Sequence, residues 1–304
     1  MRWRKLGMLF APSGNLDWMR SHAALPFAEP IAGSLVRVYF SGRDREQRSH
    51  TGELTMELGS RPRVLDVASV PVLAPGELGC FDDSGAMLSW ITTNGKIRHM
   101  YYIGWNRGVT VPFRNALGLA ISSDGQTFQR YAKGPIVDRT ASEPHFAASA
   151  CILKHDDAWR MWYLSCTGWD MIDGRSEHRY HLKYAESLDG ICWRRQGIVA
   201  IDYRDASECA ISRPSVIRDR DRWRMWYSHR DRTTTYRIGY AESDDGIAWR
   251  RLDQLAGIDV SDSGWDCEMI EYPHVFDHGG ARYMLYNGNR FGQSGFGLAV
   301  LELA

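Results

Sequence analysis

Along most of the chain, apolar and polar residues alternate with a period of two. In RMWYLS (Arg160 to Ser165) successive side chains fall on opposite faces, and the aromatic residues suit a pleated strand. Helical spacing is almost absent. The alternation also comes in copies. Aromatic strands recur as RVYFSGR (Arg37 to Arg43), HMYYIGW (His99 to Trp105), RMWYLSC (Arg160 to Cys166), RMWYSHR (Arg224 to Arg230) and RYMLYNG (Arg282 to Gly288). Their markers Val38, Met100, Met161, Met225 and Met284 are spaced 62, 61, 64 and 59 residues apart. A repeat near sixty residues written five times decides the architecture before any other feature does.

Each unit reads as four strands. An apolar first strand such as SACILK runs through a short polar turn (KHDDA, RDRDR, DHGGA, TTNGK) into the aromatic second strand. A loop leads to the third strand, and here the chain repeats a thirteen-residue phrase: GLAISSDGQTFQR (Gly118 to Arg130), KYAESLDGICWRR (Lys183 to Arg195) and GYAESDDGIAWRR (Gly239 to Arg251). In each copy Asp-Gly supplies the positive φ of a hairpin turn, so Asp124, Asp189 and Asp245 are structural, and a fourth strand is expected to start at Trp193 or Trp249. The last unit, ending GFGLAVLELA, lacks a fourth strand, and WRKL at the N-terminus matches WRRL at Trp249 to Leu252. The N-terminal strand is therefore expected to complete the last sheet. The expected fold is all-β: a single domain, residues 1–304, closed as a five-bladed β-propeller of four-stranded antiparallel blades.

Composition adds exclusions. With 44% hydrophobic residues in 304, the chain can bury a sizeable core. Lys plus Arg and Asp plus Glu are equal at 37, so no net field draws nucleic acid or an anionic membrane. No signal peptide or apolar run of membrane-spanning length is visible. The six cysteines are scattered without C-x-x-C pairs, as expected for reduced thiols in a cytoplasmic protein.

Candidate chemistry collects at one end of the ring. The loops after the second strands are long and polar, including GWNRGVTVPFRN and SCTGWDMIDGRSEHRYH. The segments entering the first strands carry acids: Asp17 in NLDWM, Asp82 and Asp83 in CFDDSGAM, Glu143 in SEPHFAAS, Glu208 in SECAISRP, and Asp266, Glu268 and Glu271 in DCEMIEYP. Any one of these would serve equally as a turn cap or an arginine partner. As a set on inner strands they are expected to point at one axis, where grouped carboxylates raise each other's pKa and become acid/base candidates. Trp105 and Trp169 lie at the loop ends of their strands, available to a sugar face, whereas the RMWY aromatics read as core.

These features together resemble the glycoside hydrolase superfamily that contains families 43, 32, 62 and 130. The likeness rests on aromatic second strands, YAxSxDGxxW phrases and inner-strand acids, and covers essentially the whole chain. FDDSG, SHA and GWNRGVTVPFRN look like uncharacterised propellers of bacterial sugar gene clusters. The resemblance implies three acids on the first three blades, which by order would be Asp17, Asp82 or Asp83, and Glu143. The chain has neither a WMNDPNG-type motif nor an RDP. On this reading Glu143 or Glu208 protonates a leaving oxygen and Asp83 or Asp17 acts from the other face. Carboxyls about 5–5.5 Å apart would imply retention, and about 6.5–9.5 Å inversion.

Arginines sharpen the expectation. Arg43, Arg114, Arg230 and Arg290 fall in pocket-side loops and Arg213 on an inner strand, beyond what a neutral sugar needs. The guanidinium fork matches phosphate or carboxylate, so an anionic carbohydrate is expected: a sugar phosphate, nucleotide sugar or acidic sugar, or inorganic phosphate for phosphorolysis. The expected binding set is His22, Trp105, Asn106, Arg114, His145, Trp169, Arg213, Glu268, Glu271, His274 and Arg290. No motif calls for a cofactor or a metal ligand set; Asp82 and Asp83 with a nearby Glu would suit Ca²⁺ if any ion. The rival readings are a glycoside phosphorylase, a non-catalytic carbohydrate-binding propeller and, last, a protein-interaction propeller.

Overall fold

A computed structural model describes residues 1–59 and 61–302. Among them are twenty strands and a single 3₁₀ turn, Asp253–Leu255. The N-terminal strand is β1 (Arg2–Phe10). Four antiparallel groups follow in chain order: β2 (Ser21–Ala32), β3 (Leu35–Arg43), β4 (Ser49–Glu57) and β5 (Arg63–Val67); then β6 (Gly85–Asn94), β7 (Ile97–Arg107), β8 (Phe113–Ser122) and β9 (Gln129–Arg130). The next are β10 (Ala147–His155), β11 (Ala158–Ile172), β12 (Arg175–Ser187) and β13 (Val199–Ile201), then β14 (Glu208–Arg218), β15 (Trp223–Asp231), β16 (Arg237–Ser243) and β17 (Arg250–Arg251). The last group is β18 (Glu271–His278), β19 (Ala281–Asn287) and β20 (Phe296–Glu302), and its outer strand is β1, paired with β20 through Trp3 opposite Leu301 and Arg4 opposite Val300. Neighbouring groups touch edge to edge by single parallel pairs, Ser49 with Gly85 and Tyr180 with Ala210. The first strands pack in cyclic order, β2 on β6, β6 on β10, β10 on β14, β14 on β18, and β18 back on β2. The result is an all-β propeller fold with its first strands around one axis.

The repeated phrase has a local cause. Asp124, Asp189 and Asp245 each accept two backbone N–H bonds with Oδ1 (2.7–2.9 Å) and a hydroxyl bond from Ser122, Ser187 or Ser243. The fourth strands are shorter than expected: Trp193 lies outside a strand, Arg194 forms only an isolated bridge with Glu186, and β17 starts at Arg250. At or near these short strands, the side chains of Arg130, Arg195 and Arg251 reach back to acids of their own groups.

Those side chains form a clasp that repeats. Asp82 accepts from Arg130 Nε (2.8 Å), with the guanidinium over the Tyr102 ring. Glu143 accepts from Arg195 (2.8 Å), Tyr163 (2.9 Å) and Lys183 (2.9 Å). Glu208 takes both Arg251 amino groups (2.7 and 3.0 Å), and Asp266 takes Lys5 (2.7 Å) and Tyr286 (3.1 Å). Each acid thus binds a cation from the segment beyond the third strand of its own group, and a second-strand tyrosine (Tyr102, Tyr163, Tyr227 or Tyr286) acts on it. In the first group the same place is apolar: Trp18 sits at 5.6 Å from Phe40, and a Cβ on Gly52 would meet its ring at 2.1 Å. The expectation that Asp82, Glu143 and Glu208 converge on the axis is therefore corrected, because ion pairing in a dry interior holds each within its own group. Among the described residues no cysteine is paired, and no helix is long and apolar enough to cross a membrane.

Burial opposes ionisation of Glu208, yet hydrogen bonds from His229 and Arg251 hold it at about 2, below its ordinary 4.5. Such a depressed carboxylate stabilises the fold fully above its unfolded pKa and loses that contribution as the pH falls toward 2. Its size is on the order of 3 kcal/mol. Glu208→Gln is expected to lower the urea unfolding free energy by about that amount at neutral pH, with the gap to wild type closing below about pH 4. A gap that stays constant with pH would show that the clasp is not the stabilising element.

Candidate functional site

A cavity of about 450 Å³ opens at the axis, and all of the groups contribute to it. Strand register explains which residues face it. The first-strand residues opposite Ser41, Ile103, Leu164 and Ser228 are Ala24, Met87, Ala148 and Ser212, and each lines the cavity. The fifth member of this ring, opposite Asn287, is Glu271. Just beyond this ring every first strand carries a β-bulge, and Leu25, Ser149, Arg213 and Tyr272 there adopt positive φ of 43–56°. The bulge turns these side chains toward the axis. Backbone N–H groups at this level stitch neighbouring groups together: Leu25 donates to Asn287 Oδ1 (2.9 Å), Leu88 to Ser41 Oγ (3.1 Å) and Tyr272 to Ser228 Oγ (2.7 Å).

The walls are aromatic and the charge is positive. Trp105, Phe113, Phe146 and Phe291 line the cavity, with Trp169 packed behind Phe113 and Phe146. Arg43 and Arg230 also line it, from β3 and β15, and both act electrostatically on Tyr272 between them. Among the described residues Arg43 has no acidic partner, while Arg230 reaches only Glu177 at 3.7 Å and leaves its Nε unpartnered. His178 stacks on Tyr180 at 4.7 Å, and burial, reinforced by Arg230, pushes it down to about 4, so it is neutral at pH 7. The Tyr180 and Tyr236 hydroxyls bond each other. No carboxylate is among the lining residues. The arrangement offers two cations and stacking faces to a bound anion, in a volume suited to a small molecule.

The remaining expected residues scatter. Asp17 is 95% exposed and pairs with Arg20. Asp83 is held by Asn106 (2.7 Å), Ser84 and the Gly79 N–H, and Asn106 and Arg114 line a separate outer groove. His22 is half-buried on β2; burial and Arg43 lower it to about 4. His145 is half-buried next to Phe146, Glu268 is exposed, and Arg290 is exposed with φ 60° beside Phe291. His274 is buried against Phe27 and Trp90 and bonds the Ala28 carbonyl (3.2 Å). Arg213 is 0% exposed and does not line the cavity; its amino groups donate to the Ser89 and Pro26 carbonyls, tying three groups together. Arg213 and His274 are thus axial core groups, which corrects their expected binding role. Asp82 is taken up by Arg130, and among the described residues no three His, Cys, Asp or Glu side chains form a metal-binding cluster. Sequence reasoning missed His178, Tyr180, Tyr236, Tyr272 and Phe291. For the tyrosines the signal was third-strand and bulge placement, which alternation alone does not reveal.

The comparisons with known proteins bear on the fold. The chain has the propeller fold of glycoside hydrolases. One solved structure named simply a glycoside hydrolase superposes with a TM-score of 0.75 at 18% identity, covering 99% of this chain and 92% of that one. A thermostable family-43 glycoside hydrolase gives 0.70 at 15% identity, covering 97% and 94%. The GH32 β-fructofuranosidase BmSUC1 of Bombyx mori gives 0.64 at 14% identity, covering 92% of this chain and 61% of that one. At such identities the likeness is one of fold. No family model matches. The chain belongs to the same family as the uncharacterized proteins Rv1502 and MT1551 of Mycobacterium tuberculosis, 46% identical over 302 residues, 99% of this chain and the whole of each relative.

Arg213→Leu removes the donors to two buried carbonyls and is expected to cost about 2 kcal/mol of stability. Urea unfolding checks this. Because Arg213 lies below the cavity, anion affinity measured by calorimetry at low temperature should change less than about twofold, well under the 1.4 kcal/mol that a tenfold change represents.

Proposed function

We propose that this protein acts on the glycosidic bond of an anionic carbohydrate in the central cavity of a five-bladed β-propeller. The five four-stranded groups are its blades, residues 1–304 are one domain, and unpaired cysteines suit a cytoplasmic location. The observation that carries the reading is the pair Arg43 and Arg230 lining the cavity: among the described residues Arg43 has no acidic partner, and Arg230 has only Glu177 at 3.7 Å, outside the lining. A phosphate or carboxylate seated between them gains charge-assisted bonds in a site walled by Phe113, Phe146 and Trp105, while the sugar rings stack on those aromatics. The shared fold with glycoside hydrolases supports carbohydrate as the ligand class.

Phosphorolysis is the second reading, and one observation favours it over hydrolysis. Both hydrolytic geometries need two carboxyls flanking the bond, and Asp82, Glu143 and Glu208 are committed to their clasps. Inorganic phosphate held by the arginines replaces one of those carboxyls.

Titration calorimetry with inorganic phosphate, glucose 1-phosphate, glucuronic acid and glucose tests the anionic reading. The charged ligands should bind at least about tenfold more tightly than glucose, and Arg43→Ala and Arg230→Ala should each weaken them about 10- to 100-fold. Equal affinity for glucose and glucose 1-phosphate would refute it.

A further inference from the structure

Glu271 stands apart from every other acid of the inner strands. Asp82, Glu143, Glu208 and Asp266 each meet a cation of their own group, whereas both Glu271 oxygens are buried with no hydrogen-bond partner among the described residues. It is 0% exposed, yet it occupies the first-strand position whose counterparts Ala24, Met87, Ala148 and Ser212 all line the cavity. The groups that act on it are Tyr272 of its own strand, Arg230 of β15 and Tyr236 before β16, and all three are cavity wall. With no cation at hydrogen-bond distance in this dry site, burial pushes Glu271 well above the ordinary carboxylate range, against the opposing pull of the Tyr272 hydroxyl and then of Arg230, and so favours its protonated form. A neutral carboxylic acid stored beside a cationic cavity is a proton source.

We propose that Glu271 is the proton donor for glycosidic-bond cleavage in this cavity, with phosphate held by Arg43 and Arg230 as the nucleophile. This rests on the reading above that the cavity takes a sugar and a phosphate. A phosphate oxygen forms a bond to the anomeric carbon as the bond from that carbon to the leaving oxygen breaks. The leaving oxygen keeps the electron pair and takes the Glu271 proton. The carboxylate left behind recovers a proton from the P–OH that entered with hydrogen phosphate, so glycoside plus phosphate becomes sugar 1-phosphate plus free sugar. One carboxyl suffices because phosphate carries the charge that a second would supply. Glu271 is shut off from the cavity behind its neighbour Tyr272, so presenting the acid to a bound sugar requires its side chain to turn past that wall residue.

Two measurements test this. Infrared difference spectra of wild type minus Glu271→Gln should show a protonated carboxyl at neutral pH, and a wild-type titration from about pH 5 to 9 gives the same readout if the variant fails to fold. Turnover is followed as phosphate release from α- and β-hexose 1-phosphates with hexose acceptors, and as phosphate-dependent cleavage of p-nitrophenyl hexosides. Glu271→Gln should keep its phosphate affinity and lose about 10²–10⁴-fold on the 1-phosphate reaction, but less than about tenfold on p-nitrophenyl hexosides, whose leaving group needs no proton. An ionised Glu271 at neutral pH, or undiminished 1-phosphate turnover by the variant, overturns the assignment. Phosphate binding without turnover by wild type overturns it too while leaving the anionic-ligand reading intact. Absence of phosphate binding overturns that reading itself.

Discussion

The clasp between an acid at the entry to a first strand and a cation beyond the third strand is the interaction on which the rest of the molecule depends. In four of the groups it places a carboxylate, a cation and, across the pair, a second-strand tyrosine inside a dry interior. A buried charge is tolerated only when it is paired and hydrogen-bonded. The outer segment of each of these groups is therefore fixed to the first-strand entry by electrostatics, although the outer strands β9, β13 and β17 are only two or three residues long. The clasp also decides the chemistry of the axis. With these acids bound within their groups, the charged side chains that line the cavity are Arg43 and Arg230.

The β-bulges complete this division. A regular strand would carry one face inward along its whole length, but in four of the five first strands an irregular residue with positive φ, Leu25, Ser149, Arg213 or Tyr272, breaks that pattern. What sits there differs by group: small in the third, cationic in the fourth, phenolic in the fifth. Arg213 bonds carbonyls of the first two groups from the fourth, and the Leu25–Asn287 bond joins first to last. The five groups are alike in frame and unlike at the centre.

Much of the frame was legible in the sequence. The alternation in RMWYLS, the sixty-residue spacing and the Asp-Gly turns each follow from local chemistry, and WRKL matched a strand that does pair with β20. The arginine-bearing loops were legible too, since Arg43 and Arg230 stand where the second strands end. The acids were misplaced for a physical reason. A shift of one residue moves a side chain to the other face of a strand, and neither the bulges nor the clasp partners Arg130, Arg195 and Arg251, about fifty residues away in sequence, show in local pattern. Among the three acids of DCEMIEYP, register with Asn287 is what separates cavity-ring Glu271 from clasped Asp266 and exposed Glu268.

The pairing of β1 with β20 gives the fold an order of assembly. Arg2–Phe10 precedes every other described strand, and the strand it pairs with follows them all. The other four groups are each built from strands contiguous in sequence, so their ladders close over short loops. The β1–β20 ladder joins the most distant strands of the fold, and closing so long a loop makes it a slow, late step that locks a ring already assembled.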